Sequence, residues 1–66
     1  MTGPAHTEAA RKTFAELTGE LEDASLIAAA GQTVFDVADA RHTCDRLIAT
    51  LEACLGRLQR LRRRLG

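Results

Sequence analysis

The sequence predicts an all-α fold: an antiparallel two-helix hairpin that dimerises into a four-helix bundle. Three observations predict it. Ala supplies 12 of the 66 residues, while the only Pro, Pro4, sits near the start. Ala is the strongest helix former and Pro is tolerated only in a first turn. Two long stretches then repeat apolar residues at alternating spacings of 3 and 4, with a Gly between them. That spacing is one face of a helix. Finally, Leu, Ile, Val and Phe together make only 15 of 66 residues. A domain near 60 residues buries about 60% of its unfolded surface, so a core this thin calls for a partner chain.

The first helix is expected over about residues 4–30, with Pro4 in its opening turn. Its stripe is Ala10, Phe14, Leu17, Leu21, Ala24 and Ala28. Gly19 weakens it by about 1 kcal/mol relative to Ala, and a break there would give a three-helix alternative. Gly31 is the expected stop, with the turn at 31–33. Thr33 is the expected N-cap of the second helix, with Asp36 three residues on as a capping-box partner.

The second helix, about 34–65, carries the cleaner repeat: Val34, Val37, Arg41, Cys44, Ile48, Leu51, Leu55, Leu58, Arg62 and Leu65. These are assigned to heptad positions a and d. The g positions, Ala40, Leu47, Cys54 and Leu61, are also apolar. The stripe is therefore wide enough for two neighbours. A tight turn would set residues whose numbers sum to about 63 side by side. Arg41 would then face Glu22, Cys44 would face Gly19, and Cys54 would face Ala9. Gly19 would admit a close helix approach. The end from Gln59 to Gly66 would overhang helix 1.

The chain is electrically neutral but divided. Nine acidic residues against four basic ones leave residues 1–56 at −5, and the last ten residues hold five Arg. Arg57, Arg60, Arg62, Arg63 and Arg64 are candidate anion-binding residues for nucleic acid or an anionic membrane surface. Against that stand two structural uses: cations stabilise a helix C-terminus, and they can pair with the acidic body of another subunit. The chain has no Tyr or Trp for base stacking, and no helix-turn-helix.

Other chemistry is poorly supported. Asp39, His42, Cys44 and Asp45 are the only candidate ligand cluster. The heptad turns His42 and Asp39 to solvent and only Cys44 inward, so no metal is assigned. Cys44 and Cys54 lie ten apart on one helix and face different ways. They read as small buried apolar residues. Ser25 is the only Ser and lies far from both His in the hairpin, so no nucleophile–base set forms. Neither a catalytic role, a cofactor nor a small-molecule substrate is implied. With no apolar run of ~18 residues and no signal-peptide pattern, the expected setting is cytoplasmic. Rich in Arg over Lys and in Ala, the composition matches coding in GC-rich bacteria.

The remaining reading is an interaction module, an adaptor, docking or accessory subunit, that binds itself and a larger protein. Its candidate interface residues are Leu47, Ile48, Leu51, Leu55 and Leu58 on the stripe, with Leu26 and Phe35 near the turn beside Ile27. In helical, heptad character alone the chain is similar to the dimerising helical docking segments of bacterial multienzyme assemblies.

Overall fold

The computed structural model describes residues 4–66, with side chains from residue 7. It is all-helical. Helix α1 spans Pro4–Gly31 and helix α2 spans Val37–Leu65, and the two pack against each other. Helix α1 runs unbroken through Gly19, so the three-helix alternative falls. The expected turn at 31–33 is instead a five-residue connection, 32–36.

That connection explains most of what the sequence misjudged. Gly31 has no left-handed φ; among the described residues only Gly66 does. Helix α1 therefore does not stop at a glycine cap. It tightens into successive i→i+3 bonds, Gln32 N to Ala29 O, Thr33 N to Ala30 O and Val34 N to Gly31 O, at 3.1–3.3 Å. The chain keeps climbing for another turn before it reverses. Thr33 is consumed in this turn: its Oγ1 donates to Ala30 O at 3.0 Å. The N-cap of α2 is Asp36, in extended conformation, whose Oδ1 accepts from Asp39 N at 2.8 Å. The capping signal was real but sat three residues further on, and α2 starts at Val37 rather than 34.

Helix α2 ends with every local signal satisfied. Asp36 and Asp39 lie at its positive end and Arg62, Arg63 and Arg64 at its negative end. Gly66, at φ 89°, returns its N–H to Arg62 O. Helix α1 has no acid in its first turn and no base in its last. Its helicity rests on Ala content and on packing against α2.

The packed seam is regular. Besides Ala9 and Gly56, the half-buried and buried residues run Ala10, Thr13, Leu17, Glu20, Ala24, Ile27, Gly31 in α1 and Ala40, Thr43, Leu47, Thr50, Cys54, Arg57, Leu61 in α2. Both rows alternate 3 and 4. Among the described residues only Leu17, Ala24, Cys54 and Leu61 are buried, at 5–6% exposure. Three contacts set the register: Cys54 with Glu20, Arg57 with Glu16, and Thr43 with Gly31. Their numbers sum to 73 or 74, not 63. Because the connection climbs past Gly31, α2 residues 37–42 stand beyond the end of α1.

Several expectations are corrected by this register. Arg41 lies above α1 and does not face Glu22. Cys44 does not meet Gly19, and Cys54 meets Glu20 rather than Ala9. The C-terminal end does not overhang: Leu61 and Arg60 share a cleft with Thr13. Gly19 admits no close approach, since a Cβ there would meet nothing within 4 Å. The close approach is at Gly31, where a Cβ would come within 2.9 Å of Thr43 Cγ2.

Candidate functional site

The seam takes only the g edge of the stripe expected to be buried. Helix α2 packs on α1 through heptad positions g and c, Thr43, Leu47, Thr50, Cys54, Arg57 and Leu61. At ~100° per residue, a and d point about 90–100° away from that line. They are exposed. Ile48, Leu51 and Leu55 retain 54%, 48% and 54% of their accessible surface, and Leu58, Leu65 and Cys44 are also exposed. Of the candidate interface residues, Leu47 alone is half-buried in the seam. Cys44, expected to face inward, is at the surface.

Helix α1 behaves in the same way. Of its expected stripe, Ala10, Leu17 and Ala24 reach the seam, while Phe14, Leu21 and Ala28 stay exposed. Each of these three follows a seam residue by one: Thr13, Glu20, Ile27. In α2, Cys44, Leu51 and Leu58 likewise follow Thr43, Thr50 and Arg57. One step onward rotates every such side chain in the same sense about its own axis. In two antiparallel helices the same sense leads to the same broad face. Phe14, Leu21 and Ala28 therefore join Ile48, Leu51, Leu55 and Leu58 in one apolar surface. The Cα trace measures 53 × 16 × 9 Å. The face's apolar residues, from Phe14 to Ala28 on α1 and from Ile48 to Leu58 on α2, cover about 21 Å of that length at ~1.5 Å per residue.

The opposite broad face is polar. It shows two shallow open clefts, one lined by Glu20, Asp23, Leu26, Ile27, Arg46 and Thr50, the other by Thr13, Arg57, Arg60, Leu61 and Arg64. Leu26 belongs to this side, not to the apolar face. Phe35 stands in the connection at 98% exposure, with Val37 also open beside it. Ile27, which was grouped with them, is half-buried in the seam.

Between the faces runs a small polar network. Arg57 bridges two carboxylates of α1, one turn apart: Glu16 through NH1 and Glu20 through Nε, the latter at 2.7 Å. The other oxygen of Glu20 accepts from Cys54 Sγ at 3.3 Å. Burial, and then the Glu20 carboxylate as acceptor and negative neighbour, push the Cys54 thiol up; Arg57 partly opposes them. A thiol held protonated this way is a poor nucleophile. The network's use is positional, because it pins the register and the rotation of α2 on α1. The residue pattern carried a signal for it, acids at Glu16 and Glu20 opposite one interior Arg. Only the correct register brings them together.

Arg57 is therefore occupied within the hairpin. Among the described residues no carboxylate pairs with Arg60, Arg62, Arg63 or Arg64. Gln59, Arg62, Arg63 and Gly66 line an open cleft at the tip. At the other end, Asp39, His42 and Asp45 are exposed on α2. Among the described residues no three His, Cys, Asp or Glu side chains converge as metal ligands. Among the described residues no helix is long and apolar enough to cross a membrane. Compared with protein-family models, curated proteins and solved structures, the chain matches none.

Proposed function

We propose that this protein is a small non-catalytic assembly module. It closes its apolar face against a second copy as a four-helix bundle, and presents the bundle to a larger protein. One observation carries the reading: Phe14, Leu21, Ile48, Leu51, Leu55 and Leu58 stay open on one face while the hairpin seam buries only Leu17, Ala24, Cys54 and Leu61 among the described residues. An exposed apolar patch of this kind marks an interaction surface. Phe35, projecting from the connection, is the anchor proposed for the larger partner, with Leu26 as a weaker contributor on the polar side. The two free thiols suit a reducing, cytoplasmic setting.

Light scattering after size exclusion, in reducing buffer, tests the reading. A mass near twice 7.1 kDa is expected. A compact species of one chain's mass at high micromolar concentration would overturn self-assembly.

A second reading rests on the unpaired Arg60, Arg62, Arg63 and Arg64. In it, the tip binds a polyanion such as nucleic acid or an anionic membrane surface. Affinity for a DNA duplex or anionic vesicles would then fall steeply with salt and be lost when Arg62, Arg63 and Arg64 become Gln. Salt-insensitive or absent binding rejects it.

A further inference from the structure

Resting on the self-assembly reading, the charge layout adds the orientation of the two copies. By the observed register Leu21 lies level with Ala53, which divides the hairpin into two halves. The loop half, residues 22–52, holds six carboxylates and two Arg. The open half, residues 4–21 and 53–66, holds seven cations and three carboxylates. The molecule is a rod with net −4 at one end and +4 at the other. Glu16 and Glu20 are already committed to Arg57, so the uncompensated charge of the open half is concentrated at Arg60 and Arg62–Arg64.

Two copies related by a two-fold axis can close their apolar faces in two ways. With both connections at the same end, basic end lies on basic end and acidic on acidic. With the connections at opposite ends, each basic tip lies on an acidic loop half. Apolar burial is similar in the two cases, so charge decides.

We propose that the second copy docks with its connection at the opposite end, α2 lying antiparallel on the partner's α2 and α1 on the partner's α1. The stripe of α2 suits this arrangement because it superimposes on itself when reversed. Pairing Ile48 with the partner's Leu58 also pairs Leu51 with the partner's Leu55 and Cys44 with the partner's Arg62. Arg62 then arrives one residue from the partner's Asp45.

The test uses the full chain with Arg62→Cys, keeping Cys44, under mild oxidation with diamide. The proposed orientation yields a covalent dimer whose peptide map links residue 44 to residue 62. On one helix these positions are about 27 Å apart, so the link forms only between chains. Wild-type protein, with Cys44 alone at this face, yields no covalent dimer. Links of 44 to 44 or 62 to 62, or a dimeric mass without any 44–62 link, overturn the orientation while leaving self-assembly intact. A monomeric mass by light scattering for the wild type and the reduced variant overturns both. Salt gives an independent readout. Raising NaCl from 50 to 500 mM should weaken dimerisation several-fold, whereas like poles facing each other would make salt strengthen it.

Discussion

One broad face of this hairpin carries Phe14, Leu21, Ile48, Leu51, Leu55 and Leu58; the other carries Glu16, Asp23, Arg46 and Arg60. The same two helices make both. The difference shows what the intramolecular seam leaves over. It is filled by Ala, Thr, Gly, Cys and a few larger residues, which let the helices lie close together. The bulky side chains are displaced by a single step of helical rotation onto a surface that faces away from the seam. A lone hairpin satisfies its backbone and its register, yet keeps its largest apolar area in water. Burial of that area, worth roughly 25 cal/mol per Å², is the greatest stabilisation still open to the molecule.

The largest effect should come from charging the apolar face. Leu51→Glu with Leu55→Glu is expected to abolish the dimeric mass and to weaken association by at least ~1,000-fold, about 4 kcal/mol. Ala53→Gln, on the polar side, should leave mass and melting unchanged. Equal effects of the two changes would erase the distinction between the faces.

The glycines sharpen what the seam contributes. Gly19→Ala should stabilise α1 by up to about 1 kcal/mol, because the added methyl meets open space. Gly31→Ala should destabilise by about 1 kcal/mol. Its methyl would press on Thr43, whose Oγ1 is held by Asp39 O at 3.0 Å. Urea denaturation at fixed protein concentration compares them.

Capping is next in size. Asp36→Ala should cost about 1 kcal/mol, whereas Thr33→Ala should cost little. A reversed order would return the cap to Thr33. Arg57→Gln removes both ion pairs across the seam. Since Arg57 and Glu16 are about 40% exposed, the loss should be at most about 1 kcal/mol and should shrink in high salt.

The smallest effect is that of pH on Cys54. Its thiol binds a proton more tightly in the folded state. The associated stability is present below the ordinary thiol value near 8.5 and is lost as pH rises through the raised value. Melting curves between pH 7 and 10 should show this decline, and Cys54→Ala should remove that part of it. Cys44, exposed, should be alkylated well before Cys54.

Much of the fold was legible in residue order. Ala content, the 3–4 spacing from Ala10 to Leu65 and the break near Gly31 are local signals, and they place two helices to within about three residues. The wide stripe of α2 was also legible, including its surplus over what one neighbour needs. Which of its faces helix 1 takes was not legible. A stripe spanning a, d and g says that two surfaces meet apolar partners; it does not say which of them helix 1 takes. Leu26 and Phe35 were legible as residues off the stripe near the turn, and both are exposed there. The Glu16–Arg57–Glu20–Cys54 network was missed because its residues lie 34–41 apart in sequence, and an error of ~11 in register separates them by two turns or more.

Residue order by itself determined the helices, the acidic start and basic end of α2, and the opposition of an acidic body to a basic tail. These depend on neighbours within a few positions, where backbone bonding and capping act. Tertiary structure alone decided the register, the choice of seam and hence the face left open. Those follow from how far the connection climbs past Gly31 before it reverses, and from which pairs of side chains then let the helices approach closest. Both are properties of the two helices together, and neither helix encodes them alone.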